Sequence, residues 1–575
     1  MTERPYGETE LLNLLDDKWQ LARQVDGGGE RVGLRGLLLE AHRYEDLVVD
    51  APTQKPALYR QLLLPLVVDA LHEILPATAE AWAEMFARGA FSTEEAALLD
   101  SYCDKYRSSF ELFDATDPFA QVAGLRTARD ETKSATALVA TAAQGNNVPL
   151  FSSRTDGDEL RLDPGQAVRW LLHAHCWDTG AIKTGVVGDP KVAAGKTMGN
   201  PVSPLGRLGV VLPRGRTVFD TLMLNIPVGR QWLDSDRPQW RRRALRGHVE
   251  DTLSCATPAW DHRHAKGPRE AWTWQSRRIR LLPGRGPDGT PYVSQVVIAA
   301  GDRLRVTPDA EFHTAWVTGR AGKSKARANR DEDEEMIRPR RHVAGRAAWR
   351  GLNALLSFAR SYEQADATPE KIGYATTELL MSLAGVRDLM PPDYPLQLEL
   401  TGVTYGTKLG NIEDAFYDEI PLPLAALEPE GTTRISLLEA VTQAEDLAKA
   451  VNLLDADLRR AAGSDPIPLK EWQYPGETLL HILDPLVRTL LVGLRSAGED
   501  DVAGDAQLVH WEREARRAAW RVAEQLLSRT TPGSFAGRAV TLNCATRMYR
   551  LSGAEQAFDR TLRKILARRA EHPAL

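Results

Sequence analysis

Four segments near the C-terminal end of the sequence carry apolar residues at helical spacing: 434–462, 476–497, 506–530 and 552–571. Short polar or Gly/Pro breaks separate them, among them Gly463-Ser464-Asp465-Pro466 and Thr531-Pro532-Gly533. An amphipathic helix must bury its apolar stripe. Four of them joined by short connections can do so against one another, so the pattern predicts an antiparallel four-helix bundle. The turn-rich stretch Pro421-Leu422-Pro423 to Glu430-Gly431 places the start of this domain near residue 430.

Upstream the periodicities are mixed. Residues 8–40 read as a hairpin and connection turning at Gly27-Gly28-Gly29. The spacing predicts packed helices over 56–75, 77–88 and 93–113, and a helix from Gly165 to Trp177 behind the cap Asp163-Pro164. Trp272–Leu282, Tyr292–Ala299 and Leu396–Val403 read as strands, while 124–163 and the highly charged 318–342 read as loops. The expected fold class is α+β, with a large mixed α/β N-terminal domain over 1–430 and the four-helix bundle over 431–575.

With 575 residues, of which 43% are hydrophobic and 26% charged, the chain can build substantial cores. No apolar run reaches the length of a membrane span. The start, Met1-Thr2-Glu3-Arg4-Pro5, lacks a secretory pattern, so the expected address is the cytoplasm with no membrane partner. Cys103, Cys176, Cys255 and Cys544 are far apart and form no CxxC pair, which predicts free thiols and no structural metal.

Catalytic signatures are missing. Gly195-Lys196-Thr197 resembles the end of a phosphate-binding loop, but Pro190 stands where its first glycine belongs. Neither GxSxG nor HExxH occurs. His173, His175 and Cys176 share a predicted helix, but residues two apart do not share a face, which favours packing over metal binding. The chain is therefore expected not to be an enzyme and to need no cofactor.

Charge distribution says more than the net charge of −6. Between Lys183 and Arg216 the basic residues are Lys183, Lys191, Lys196, Arg207, Arg214 and Arg216, and the single acid is Asp189. Glycines punctuate the same window, including Gly185, Gly188 and Gly195. Glycine lets backbone N–H groups approach a ligand and lysine supplies charge, a combination suited to a phosphate backbone or a shallow groove, or else to a solvated loop. Arg237, Arg241, Arg242, Arg243 and Arg246 form a second basic run, and Arg277, Arg278 and Arg280 a third; each reads as a solvated face or a further nucleic-acid contact.

Ordered pieces along the whole chain carry a resemblance. They include Leu12-Asn13-Leu14-Leu15-Asp16-Asp17-Lys18-Trp19, Pro118-Phe119-Ala120-Gln121, Gly145-Asn146-Asn147 with Leu150-Phe151, and Gly180-Ala181-Ile182-Lys183-Thr184-Gly185 with Gly188-Asp189-Pro190. Thr221-Leu222-Met223-Leu224-Asn225, Thr273-Trp274-Gln275-Ser276-Arg277-Arg278, Ala347-Ala348-Trp349-Arg350-Gly351-Leu352 and Tyr405-Gly406 follow. With the terminal bundle, this set resembles the CasA-type large subunit of the type I-E CRISPR surveillance complex, Cascade. The resemblance implies a non-catalytic protein that reads the protospacer-adjacent motif of double-stranded target DNA, largely from the minor groove. It also implies help in opening the duplex for guide RNA and in docking a helicase–nuclease. The implied partners are the DNA target, the other Cascade subunits with guide RNA, and that effector.

Carried over by position, the first motif-contacting loop falls on Asn146–Ser153, with Asn147, Leu150, Phe151 and Ser152 as contacts. The glycine loop falls on Lys183–Gly188, with Lys191 and Lys196 beyond it. The minor-groove lysine falls in the charged segment, at Lys323 or Lys325. The strand-separating wedge falls on Tyr405-Gly406-Thr407-Lys408-Leu409-Gly410-Asn411, where the family's glutamine is replaced by Lys408 and Leu409. A leucine can prise bases apart as an apolar wedge while a lysine holds a phosphate. The rival readings are a metal-dependent enzyme acting on nucleic acid and a scaffold that binds only proteins.

Overall fold

In the computed structural model the chain divides into two compact units: residues 1–346, 358–390 and 397–419, and residues 347–357, 391–396 and 420–575. The structure describes residues 12–142, 160–196, 199–244, 258, 260–287, 289–318, 337–358, 373–467, 474–498, 500–542 and 545–568. The second unit thus begins at Ile420 and takes in two earlier segments that the sequence break near 430 does not signal.

In the first unit, β1 (Gln20–Gln24) and β2 (Gly29–Val32) form the expected hairpin, and β3 (Tyr44–Leu47) pairs antiparallel with the other edge of β1. A continuous helical run follows over Gln54–Leu58, Tyr59–Leu63 and Leu64–Leu71, its middle turn widened to π geometry. Buried at nearly every position, it lies in the interior. Its charges are buried with partners: Lys55 Nζ donates to Asp46 and Glu399 at 2.7 and 2.8 Å, and Arg60 to Glu311 at 2.7 Å. The helix Thr93–Tyr106 starts from a reciprocal capping box between Ser92 and Glu95.

Helix α1 (Pro164–Trp177) starts from a second capping box, Asp163 with Gln166, with Pro164 in its first turn. It is buried almost throughout. β4 (Val210–Arg214) pairs antiparallel with β7 (Gln397–Tyr405), which is flanked on its other side by β8 (Ile412–Pro421). β5 (Arg277–Arg285) and β6 (Pro291–Ala300) form a long antiparallel pair. The strand expected from Trp272 begins only at Arg277. Pro268–Trp272 is instead a short helix, closed by Thr273, whose hydroxyl donates to the Arg269 carbonyl at 2.8 Å. Among the described residues no helix is long and apolar enough to cross a membrane.

The second unit contains the bundle. Its helices are α2 (Thr432–Ala462), α3 (Pro475–Ala497), α4 (Asp501–Ser528) and α5 (Leu551–Ile565). The inward stripe of α2 consists of Leu437, Ala444, Leu447, Val451, Leu454 and Leu458. It meets Leu483, Val487 and Leu491 of α3 and Trp511, Ala515 and Val522 of α4 in one apolar interior. One polar chain crosses it: Trp511 Nε1 donates to Gln443 Oε1 at 2.8 Å, and Gln443 Nε2 to Glu512 Oε1 at 2.8 Å. Helix α4 begins before the expected residue 506 because the Asp500 carboxylate accepts from Val502 and Ala503 N–H. Between α4 and α5 lies a hairpin that the sequence pattern does not signal, β9 (Arg538–Leu542) with β10 (Ala545–Tyr549).

Candidate nucleic-acid interface

The end of α1 sets the position of the glycine segment. Asp178 stands at the helix C-terminus and accepts from the Arg277 guanidinium and from Lys183 Nζ, the latter at 2.6 Å. Arg277 is buried and also donates to the Thr179 and Pro201 carbonyls, each at 2.9 Å. Burial alone would raise the Asp178 carboxyl, but Lys183 and Arg277 hold it well below the usual carboxylate range. Lys183 therefore does not face outward as a phosphate-seeking lysine. Its side chain is nearly buried and closed on Asp178, and its effect is to pin the loop.

A second ion pair anchors the far end of the loop. Asp189 is buried; one oxygen accepts from Lys191 N–H at 2.9 Å and caps the short helix Pro190–Ala193. The other accepts from Arg278 at 2.5 Å. Between the anchors, Val186 packs with Leu125, Val297 and Ala299. Gly188 has φ +85°, a conformation that a side chain resists. The loop is therefore held at both ends, with Ile182 and Val187 exposed at 67% and 52%.

The expectation that Arg277 and Arg278 form a solvated or nucleic-acid-facing patch is corrected by this geometry. Both are core cations, fixed by Asp178 and Asp189. Arg241 likewise pairs with buried Asp69 at 2.9 Å. The one hint of this network in the sequence is Asp189, the lone acid of a basic window.

Of the basic residues beyond the loop, Lys196 is exposed. Lys191 lies with its ammonium 4.1 Å from the centre of the Trp260 ring. His173 and His175 are buried, bonded to Thr53 Oγ1 at 3.0 Å and to the Ala120 carbonyl at 2.9 Å. Burial lowers them to about 3 and about 4, so they are neutral near pH 7. Cys176 lies within 2.9 Å of Gln61 Nε2, and burial pushes its thiol up to about 12. Among the described residues no group of three or more His, Cys, Asp or Glu is placed to hold a metal ion.

The turn between β7 and β8 meets the glycine segment. Gly180 N–H donates to the Leu409 carbonyl at 2.8 Å, and a Cβ at Gly180 would lie 3.0 Å from the Leu409 Cβ. Thr407, Lys408 and Leu409 are exposed. Lys408 and Leu409 have φ of 61° and 59°, successive left-handed residues that carry side chains. Each such conformation costs about 1–2 kcal/mol and persists only where its surroundings enforce it. The enforcing bonds are Gly406 N–H to the Asn411 carbonyl (3.0 Å), Leu409 N–H to the Gly406 carbonyl (2.9 Å) and the bond from Gly180. Tyr405 fixes the base of the turn by donating to the Trp177 carbonyl at 2.6 Å. The structure thus brings Gly185, Gly188, Lys191, Lys408 and Leu409 onto two joined segments. Asn147, Leu150, Phe151, Ser152, Lys323 and Lys325 lie outside the described residues.

Residues 13–522 match the family described as CRISPR-associated protein Cse1. A CRISPR-associated protein CasA/Cse1 of Thermus thermophilus is 29% identical over 280 residues, covering 48% of this chain and 50% of that protein. That alignment spans about half the length of the relative. The crystal structure of Thermobifida fusca Cse1 superposes with a TM-score of 0.78 at 29% identity, over 97% of this chain and 98% of the other. A chain of a CRISPR RNA-guided surveillance complex shares the fold, with a TM-score of 0.61 at 20% identity over 96% of this chain and 99% of the other.

Proposed function

Since the match over residues 13–522 makes this chain a member of the CRISPR-associated Cse1 family, we propose that it is the non-catalytic large subunit of an RNA-guided surveillance complex. In that role it reads the protospacer-adjacent motif of duplex DNA, helps to open the duplex for guide RNA, and helps to recruit the helicase–nuclease. The observation that carries the reading is the exposed Leu409, held on a strained turn and hydrogen-bonded to the glycine segment.

The division of labour follows from the chemistry. The loop from Gly185 to Gly188 offers backbone close to a groove floor, where few base patterns are distinguishable and a short, tolerant motif results. Lys191, Lys196 and Lys408 supply charge to phosphates, and Lys183 positions the loop. Leu409 enters a base step next to the motif, its strained turn keeping it rigid while unstacking costs a few kcal/mol. Asn147, Leu150, Phe151 and Ser152 contribute from the first loop, and Lys323 or Lys325 probes the groove.

The test is reconstitution with the other subunits and a guide RNA, on targets that differ only in the flanking motif. Discrimination should require this chain, and Leu409→Ser should slow duplex opening, read by 2-aminopurine fluorescence, with little change in motif affinity. Intact discrimination without this chain would sink the proposal.

A further inference from the structure

The bundle carries a charged surface that the motif-reading role does not use. From Arg529 to Arg550 the sequence contains Arg529, Arg538, Arg547 and Arg550 and neither Asp nor Glu, in a chain whose net charge is −6. This stretch includes the β9–β10 hairpin. Register pairs Arg538 with Tyr549 and Val540 with Arg547, so Arg538 and Arg547 share a face with Tyr549. The Arg547 and Arg460 guanidiniums lie 5.2 and 5.3 Å from the Tyr549 ring centre. Arg550 follows directly, and a Cβ built on Gly537, the residue before Arg538, would lie 2.7 Å from the Arg550 Cβ.

Arg538, Arg547 and Arg550 are all exposed, and among the described residues none has a carboxylate within ion-pair distance. The first turn of α5 contributes no acid. By contrast, the neighbouring Arg459 and Arg460 are paired with Asp455 and Asp457 at 2.8 and 3.0 Å. Arg538 and Arg547 share one face of the strand pair and Arg550 follows its last residue. The Arg538 guanidinium reaches the Gly463 cap at the end of α2, and planar guanidinium forks match phosphate oxygens. Phe535 stands three residues before Arg538 and is 69% exposed, a large aromatic surface left in water. Arginines for a backbone and, three residues along the chain from the first of them, an exposed ring for a base suit single-strand binding, and an acidic peptide would have no use for the ring.

We infer that the β9–β10 hairpin is a docking surface for single-stranded nucleic acid, with phosphates on Arg538, Arg547 and Arg550 and a base stacked on Phe535. This goes beyond the motif reading and does not depend on it. The full-length chain is titrated by fluorescence anisotropy with fluorescein-labelled oligo-dT, oligo-U, a mixed-sequence duplex and poly-glutamate, at several salt concentrations. The Arg538→Ala/Arg547→Ala/Arg550→Ala variant should bind the single strands at least tenfold more weakly. Its slope of log K against log salt should shrink by about 2, at roughly 0.7 for each phosphate released from a single strand. The triple lysine variant should restore that slope, and Phe535→Ala should weaken single-strand binding about fivefold with the slope unchanged. Comparison of oligo-dT with oligo-U tells a DNA strand from an RNA strand. Wild-type affinity and slope in the alanine variant would overturn the inference. So would loss of binding confined to the duplex or to poly-glutamate. In the reconstituted complex the alanine variant should keep its motif discrimination. If wild type showed no discrimination, the motif reading would fall while the hairpin result stood.

Discussion

Replacing Asp189 with asparagine removes one charge and little else. The amide oxygen can still accept from Lys191 N–H and cap the short helix, but Arg278 loses its buried carboxylate. Both members of the pair are 2% exposed. Leaving one charge of such a pair buried costs about 3–5 kcal/mol. Asp189→Ala removes the cap as well, for about 1 kcal/mol more. Adding Arg278→Met to Asp189→Asn removes the stranded charge and should bring stability back to within about 1 kcal/mol of wild type, because buried pairs and apolar replacements of similar volume are nearly equivalent. Amide hydrogen exchange over Val186–Val192 reads the effect locally. A loss of about 3 kcal/mol corresponds to exchange faster by roughly 150-fold, at 1.4 kcal/mol per tenfold. Exchange in Asp189→Asn within about threefold of wild type would refute the view that this ion pair holds the loop.

Acid should destabilise the first unit well above the carboxylate range. Burial lowers His173 to about 3, and His175 and His342 to about 4, so below pH 6.5 the unfolded chain binds protons that the folded one refuses. Their stabilisation is complete above pH 6.5, and by pH 5 about 2 kcal/mol is lost for each; urea transitions of equal midpoint at pH 7 and pH 5 would contradict this. Asp178, held low by Lys183 and Arg277, adds a loss of its own only below about pH 4, so Asp178→Asn should flatten the steepest acid end of the profile. In the bundle, Gln443→Leu leaves the buried Trp511 N–H without its acceptor and should cost about 1–3 kcal/mol, seen as a lower urea midpoint at unchanged m-value.

The bundle was legible because a packed helical interior writes its period into the sequence. Leu437, Ala444, Leu447 and Val451 recur at helical spacing and all face inward. The β9–β10 hairpin left no such mark: most of its side chains are exposed, so no alternation is imposed on it. At Trp272, aromatic content suggests strand, yet Gly267-Pro268 starts a helix and Thr273 ends it. The basic window was visible as composition, but which of its cations reach solvent was not. Burial of Arg277 and Arg278 depends on Asp178 and Asp189, 99 and 89 positions away along the chain. The turn at Lys408-Leu409 was equally hidden, since neither residue type favours a left-handed backbone; only the bond from Gly180 and the closure by Asn411 make it tenable.

The segment 347–357, which belongs to the bundle's unit, sets an order of events during synthesis. Trp349 is fully buried, and its indole donates to Asp484, 135 positions later. Arg350 closes on Glu445 and Glu477, 95 and 127 positions later. At about 5–20 residues per second, the ribosome needs roughly 7–27 seconds to deliver Asp484 after Trp349 has been made. For that interval the nascent chain carries a large indole whose partner does not yet exist, and for the first 95 residues of it an arginine without either of its carboxylates. The helices α2 and α3 must then accept a segment made long before them, which makes this tryptophan a natural point for chaperone capture.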